Sequence, residues 1–349
     1  MRLTRVPDDP PPLRPPEVVA TIGNFDGVHR GHRALIGRLI ERAATLGVES
    51  AVVTFDPHPL LVIRPQAAPR LLSTVDEKAE LFGDLAVDNV LVWRFDGALQ
   101  QTGAREFLEL LGRWVRLRRL IFGPGFALGK GREGTPDMLR RLGQEMGFDL
   151  EEVTPFVSEP ATGVVSSTAI RRQLAGGEVQ RAARGLGRLP TVTGMVVAGE
   201  RVGRTLGFPT ANVRSEGDLA VPADGVYAGW AEVAPFTPAA RRFPAAISIG
   251  TRPTFDGESR VVEAYLLDFS GDLYGQRLRL HFVARLRGQE RFDSLPALVA
   301  QMQRDVATAR DVLRGEAQEG AGQGAGQGAG QGAGQGAGEV EAPEIAADG

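Results

Sequence analysis

The segment EVVATIGNFDGVHRGHRALIGRLIERAATLGVESAVVTF, residues 17–55, decides the reading of the fold. It opens with EVVATIG (17–23), a short apolar run ending in glycine. Residues 31–46 then carry Leu35, Ile36, Leu39, Ile40 and Ala43 at helical spacing. AVVTF (51–55) is β-branched and apolar, as a buried strand requires. Further along, helical patterns fall near 75–86, 103–112 and 135–146, and strand candidates at 90–95, 118–122 and 149–153. This alternation predicts a parallel sheet covered by helices, with right-handed crossovers. Ligands of such sheets bind at the C-terminal ends of the strands, where the glycine- and histidine-rich turn after the first strand sits.

The pattern changes after about residue 185. Short strand-like runs appear (TVTGMVVAG, DGVYAGWAEV, PAAISIG, SRVVEAYLLDF, QRLRLHFVARL), separated by turns rich in Gly, Pro and Asp. They predict an antiparallel barrel or sandwich of about six strands. Residues 295–313 predict a closing amphipathic helix, with Leu298, Met302, Val306, Ala309 and Leu313 along one face. The boundary between the two halves is expected in the helical stretch 168–186, dividing the chain into 17–185 and 186–314. Residues 7–16 hold six prolines and read as an extended lead-in. From Gly320 the chain repeats GAGQ, which offers too little apolar surface to offset its ordering entropy. Residues 315–349 are therefore expected to be a disordered acidic tail.

Composition bounds the function. A chain of 349 residues, 42% hydrophobic and 24% charged, suits about two soluble domains of roughly 150 residues each. The net charge of −3 gives no sign of the basic face that nucleic acid would require. Removing the six acids of the tail leaves the body at +3, a mild excess suited to phosphate ligands. With no cysteine, disulfides, thiolate catalysis and Cys-ligated metal centres are excluded. No apolar run approaches 18 residues, and the N-terminus lacks the apolar core of a secretory signal. No membrane and no nucleic acid are expected as partners, and the expected compartment is the cytoplasm. Oligomeric state is not read from these residues.

Two constellations carry chemistry. In TIGNFDGVHRGH (21–32), Gly23 and Gly27 bracket a tight strand-to-helix turn whose backbone N–H groups and helix start suit an anion. His29 and His32 lie three apart and share a helix face, from which imidazoles can hydrogen-bond a phosphate. By themselves they also fit a helix start with incidental histidines. A zinc site lacks a third ligand at a recognised spacing. FDPHP (55–59) brings Asp56 and His58 to the same sheet edge. VSSTAIRRQL (165–174) offers Ser167 and Thr168 at a helix start and Arg171 one turn on, either a plain cap or a set of phosphate contacts. The second constellation is GMVVAGERVGRTLGFPTAN (194–212). Its glycines, Gly203 among them, permit close backbone approach, or simply make barrel turns. Arg204 adds a charge, and Thr210 and Asn212 offer oxygens suited to Mg²⁺. Glu263 in VVEAYLLDF reads either as a base or as an outward strand carboxylate.

Together, GNFDGVHRGH, FDPHP and SSTAIR closely resemble the adenylyltransferase module of prokaryotic bifunctional riboflavin kinase/FAD synthetases. GRTLGFPTAN, followed in order by PADGVYAGW, SIGTRPTF, VVEAYLLDF and LYG, resembles the riboflavin kinase signature. The resemblance covers roughly 17–313. It implies a Rossmann-like α/β nucleotidylyltransferase domain, then a six-stranded antiparallel β-barrel kinase domain with a C-terminal helix. Riboflavin, ATP, FMN and FAD are the implied small-molecule partners, with Mg²⁺ in both steps. By the same resemblance Gly23, Asn24, Phe25, His29 and His32 hold ATP, and Ser167, Thr168 and Arg171 complete the phosphate site. Phe55, Asp56, Pro57 and His58 lie at the flavin side. Gly203, Arg204, Phe208, Thr210 and Asn212 belong to the kinase signature. Thr210 and Asn212 bind Mg²⁺–ATP, and Glu263 is the base.

One departure stands out. GPGFALGKGREG (123–134) resembles the family's flavin-side loop, in which Asp or Asn usually precedes the Phe; here Gly125 precedes Phe126. A P-loop reading of this segment fails on spacing and on Gly131 where Ser or Thr is needed. Two rivals follow: a kinase whose adenylyltransferase half is weakened or lost, and a non-catalytic flavin- or nucleotide-binding regulator.

Overall fold

The computed structural model describes residues 1–153, 165–199, 203, 206–254 and 257–326. Its first unit is a sheet of six parallel strands: β1 (Arg2–Val6), β2 (Glu17–Ile22), β3 (Glu49–Asp56), β4 (Asn89–Arg94), β5 (Arg116–Phe122) and β6 (Asp149–Glu152). The spatial order is β1-β4-β3-β2-β5-β6. The helices are α1 (Arg30–Leu46), α2 (Pro59–Ile63), α3 (Val75–Asp84), α4 (Gly97–Gln101), α5 (Ala104–Leu111) and α6 (Pro136–Met146). Val18, Ala20, Ala51 and Val53 bury towards α5 and α6, while Val19 and Val52 bury towards α1 and α3. Covered on both faces, these strands read as unbroken apolar runs. The chain winds from β2 through β3 to β4, then returns past β2 to β5. The order thus reverses between β2 and β5, and the loops leaving their C-terminal ends frame a crevice.

β1 is absent from the sequence-based reading. It adds to the sheet edge beside β4, with Arg2 opposite Asn89 and Val6 opposite Trp93. Only Val6 of its five residues is buried, so the apolar pattern is too thin to signal a strand; backbone pairing makes it one.

The second unit is a closed antiparallel barrel, which resolves the choice between barrel and sandwich. Its strands are β7 (Thr191–Val197), β8 (Ala211–Ser215), β9 (Gly225–Val233), β10 (Arg241–Thr254), β11 (Gly257–Leu266) and β12 (Arg277–Arg287), in the order β10-β11-β8-β7-β12-β9. β8 had no strand signal of its own, because only Ala211 and Val213 in it are buried. Two helices, α7 (Ser167–Ala175) and α8 (Val179–Leu186), link the units. Ile170, Leu174, Val179, Ala182 and Leu186 share one core with the barrel interior, so both helices are seated on the barrel.

Polar contacts join the units further. The buried Glu77 carboxylate accepts from Thr191 Oγ1 at 3.1 Å and Thr193 Oγ1 at 2.7 Å. Arg277 bridges Asp76 of α3 and Glu216, and Arg279 bridges Glu80 of α3 and Glu232. No helix among the described residues is long and apolar enough to cross a membrane.

The last helix, α9 (Leu295–Gly326), corrects the expectation that disorder begins at residue 315. The helix expected over 295–313 continues through Glu316, whose carboxylate accepts from Trp230 Nε1 at 2.7 Å. Ala309 and Leu313 pack beside Trp230, Val283 and Leu286. The segment EAQE that follows Gly315 consists of strong helix formers, so nothing local stops the helix there. The remainder of the expected tail, residues 327–349, lies outside the described residues. Glu316→Ala should cost about 1 kcal/mol, since it removes one charge-assisted hydrogen bond at a half-buried indole. The loss should appear as a lower urea midpoint at unchanged slope. An unchanged midpoint would mean that the helix end adds nothing to the packed body.

Candidate active site

The turn after β2 is bent against the preference of its residues. Phe25 has φ +47°, Gly27 +80° and Val28 +37°. For two non-glycine residues this left-handed backbone costs roughly 1–2 kcal/mol each. Surrounding contacts hold it. The Phe25 ring meets Phe82 and His32 edge-on at 5.8 and 5.2 Å, and Val28 is fully buried. The Gly27 N–H donates to Ser73 Oγ at 2.9 Å, and Arg188 Nη1 donates to the Gly27 carbonyl at 2.7 Å. The buried Asp26 carboxylate accepts from the Leu72 N–H at 2.8 Å and from Arg171 Nη2 at 2.5 Å. Gly23 continues the sheet, donating to the Val53 carbonyl at 3.0 Å.

This turn delivers the two histidines to the start of α1. His29 is the N-cap, and its Nδ1 accepts from the His32 N–H at 3.3 Å. The two imidazoles stack with centroids 3.6 Å apart and planes 15° from parallel. Burial pulls His29 down to about 4, and the nearby Arg188 and Arg171 cations act in the same direction. Burial also holds His32 well below the ordinary imidazole range, reinforced by His29 and Lys78. Both rings are therefore neutral at pH 7, which lets them stack. His32 Nδ1 is buried with no hydrogen-bond partner among the described residues. An orphaned ring nitrogen of this kind suits a ligand oxygen.

The other expected residues converge on the same edge. Ser167 Oγ donates to the Asp26 carbonyl at 2.9 Å, while Arg171 is committed to Asp26 and, through Nε, to the Arg70 carbonyl at 2.7 Å. Both brace the turn in this arrangement. The cap of α7 is Ser166, one residue before those expected, and Thr168 is exposed in the first turn. His58 caps α2, its Nδ1 accepting from the Leu60 N–H at 3.2 Å. Asn24, Asp26, Phe55, Asp56, His58 and Lys78 line a cavity of about 330 Å³. Asn24 and Phe55 also line a second cavity of about 900 Å³, with Gly23, Phe107, Gly125 and Phe126. Phe126 stacks on Phe122 at 5.4 Å, giving that cavity an aromatic wall. Gly125 sits there at φ +71°, with open space where a Cβ would project.

Asp26, Lys78 and Arg188 were not singled out from sequence. Lys78 had a signal: it stands in the apolar stripe Val75–Lys78–Phe82 of α3, continued by its C-cap Leu85, where a charge is out of place. Asp26 and Arg188 had none, since their partners come from distant segments.

The barrel builds the second constellation by register. Glu263 on β11 stands directly opposite Asn212 on β8 and Ser248 on β10. Phe208, Thr210, Asn212 and Glu263 line a cavity of about 640 Å³, closed on one side by Leu298 and Met302 of α9. Thr210 and Asn212 also line a neighbouring cavity of about 630 Å³, beside Phe269 and Tyr274. The glycines upstream are more than turns. A Cβ on Gly199 would lie 2.3 Å from the Asn212 carboxamide, and one on Gly203 would lie 2.4 Å from the Phe208 carbonyl. Arg204 lies outside the described residues. Among the described residues no three His, Asp or Glu side chains group to hold a metal alone. The hydroxyl of Thr210 and the carboxamide oxygen of Asn212 are hard donors in a glycine-lined cradle. They fit a cation that arrives largely coordinated by phosphate.

Comparison with known proteins finds relatives for both units. The sequence model described as FAD synthetase matches residues 12–169, and that described as riboflavin kinase matches 186–313. A bifunctional riboflavin kinase/FMN adenylyltransferase of Escherichia coli (strain K12) is 39% identical over 294 residues, covering 84% of this chain and 92% of the relative. One from Pseudomonas fluorescens is 40% identical with the same coverage. Among solved structures, one titled a macrolide-efflux protein, from Streptococcus pneumoniae, superposes with a TM-score of 0.76 at 26% identity, covering 89% of this chain and 99% of that one. The sheet with its stacked histidines, the barrel with its Asn212–Glu263 pair, and these relatives agree: the chain belongs to the family of bifunctional riboflavin kinase/FMN adenylyltransferases.

Proposed function

We propose that the barrel unit, residues 186–314, phosphorylates riboflavin with ATP to give FMN, and that the sheet unit, residues 17–185, transfers AMP from ATP to FMN, giving FAD and pyrophosphate. The observation that carries the reading is the pair of constellations in one chain: His29 stacked on His32 at a strand end, and Glu263 opposite Asn212 across a barrel. Kinases and adenylyltransferases use ATP and typically a divalent metal; we assign Mg²⁺, and the cytoplasm as the compartment.

The two steps ask different things of the protein. Phosphorylation requires the riboflavin 5′-hydroxyl to lose its proton as its oxygen attacks the γ-phosphorus and the bond to the departing ADP breaks. Glu263 takes that proton. Thr210 and Asn212 hold the cation, which when bound offsets the charge of the phosphates. In adenylyl transfer the attacking FMN phosphate is already anionic, and pyrophosphate leaves from the α-phosphorus. That step needs alignment and charge stabilisation rather than a base. Neutral His29 and His32 offer ring N–H donors to the phosphates. Arg171 and Ser167, through Asp26, keep the turn that carries them in place.

Glu263→Gln keeps the shape of the side chain and removes its basicity. FMN formation should lose about 10²–10⁴-fold in kcat, while FAD formation from supplied FMN stays at the wild-type rate. More than about a tenth of the kinase kcat surviving would reject Glu263 as the base. His32→Ala should do the reverse, lowering FAD formation by about 10²-fold or more and sparing FMN formation. Loss of both activities together in a folded His32 variant would show that the sites are not separate.

Gly125 gives a third test. Its positive φ is a conformation that Asn accepts far more readily than a β-branched residue. Gly125→Asn should therefore keep stability within about 1 kcal/mol and add a polar side chain to the flavin-side cavity, raising kcat/KM for FMN by up to about tenfold. Gly125→Val should lose about 1–2 kcal/mol of stability. Equal stability of the two variants would show that the backbone at 125 relaxes freely.

A further inference from the structure

Lys78 has no part in the chemistry described so far, yet its environment asks for an anion. Its side chain comes from α3 and is only 7% exposed. Nζ donates to Thr54 Oγ1 at 3.0 Å, to the Asn24 carbonyl at 3.3 Å and to the Phe55 carbonyl at 3.4 Å. All three acceptors are neutral, and the two carbonyl contacts are long. Among the described residues no carboxylate lies within ion-pairing distance of Nζ. A charge withdrawn from water to this extent is costly unless an opposite charge meets it.

Among the described residues, the charged groups around the ammonium act on it from a distance and none pairs with it directly. From the turn after β2, Asp26 faces it but is already paired with Arg171. From the end of β3, Asp56 lines the same cavity, acts on the ammonium and is exposed. His32 of α1 and His58 at the start of α2 both sense its charge and are both pushed towards the neutral form. Arg277, which also lines the cavity, is bound to Asp76 and Glu216. Burial draws Lys78 down to about 8, against the opposing pull of Asp26 and Asp56.

Cavity and charge together point to one occupant class. Asn24 and Phe55, whose carbonyls Lys78 touches, are the residues common to the 330 Å³ cavity that Lys78 itself lines and the 900 Å³ cavity that holds Gly125 and Phe126. We infer that Lys78 is a phosphate-binding residue of the adenylyl-transfer site, its ammonium exchanging the two long carbonyl contacts for oxygens of a substrate phosphate. The inference rests on the assignment of adenylyl transfer to the sheet unit. The phosphate belongs either to FMN or to ATP, and the kinetics distinguish them.

The test uses the full chain and the variant Lys78→Met. Kinase activity in the same polypeptide reports whether the variant folds. FAD formation should fall about ten- to a hundredfold, the range for losing a hydrogen bond to a charged group. FMN formation should stay within twofold of wild type. A fall confined to kcat/KM for FMN assigns the FMN phosphate, and a fall confined to kcat/KM for ATP assigns the nucleotide.

The pH profile separates binding from mere support. Only the protonated amine attracts phosphate, so wild-type kcat/KM should decline as pH rises through about 8. Lys78→Met should lack that decline. Because a bound phosphate raises the amine's pKa, the limb in kcat should lie at higher pH than the limb in kcat/KM. Unchanged FAD formation, a persisting limb near pH 8, or joint loss of both activities with a lowered Tm would each overturn the inference. If wild type forms no FAD, the underlying assignment fails instead.

Discussion

The carboxylate of Asp26 accepts from the Leu72 N–H and the Arg171 guanidinium in a place almost closed to water. The turn it belongs to holds Phe25 and Val28 in backbone conformations that such residues avoid. Nothing local would keep them there. The strain persists because Asp26 ties the turn to α7 on one side and to the segment entering α3 on the other. The stacked histidines inherit their geometry from that turn, since His29 is both its last residue and the cap of α1. A buried ion pair adds little net stability, but removing one partner strands the other, so the arrangement is stringent about its own completeness.

The same segments join the two units. α7 and α8 bury their apolar faces in the barrel core, so Arg171 is fixed from the barrel side while it holds a turn in the sheet domain. α3 works in the opposite sense. Glu77 satisfies its own helix start through Thr74 and takes the hydroxyls of Thr191 and Thr193 on β7. One residue on, Lys78 reaches the turn after β2. A helix that belongs to the first sheet by sequence thus has one face set by the second domain. Mutations at β7 or at the start of α3 would therefore bear on the histidine site although they lie outside it.

The barrel site rests on register. Strand alternation sends every second residue to one face, so a slip of one residue in β8 would carry Asn212 away from Glu263. Closure removes the freedom to slip, because each strand is paired on both sides. Gly199 and Gly203 add a second constraint: the chain approaches Asn212 and Phe208 too closely for any side chain.

Much of this was legible in the residues. The period of the apolar pattern determined β2 to β6, the main helices and the change of architecture after residue 185, because burial of one face dictates spacing. The histidine and SSTAIR segments, which the fold brings to one turn, and the PTAN segment, which lines a barrel cavity, also stood out as residues. Elements stabilised from elsewhere could not be read: β1, which is a strand only beside β4; β8, whose pairing rests on its neighbours; and the turn of α9 beyond Arg314, held by Trp230. Nor could the sequence tell that Arg171 would spend its guanidinium on Asp26, or that Lys78 would stand buried with no carboxylate at ion-pairing distance among the described residues. Spacing along the chain reports which faces are apolar. Which distant groups meet in a buried place, and so which charges are paired and which await a ligand, is decided only when the sheet, α3, α7 and the barrel pack together.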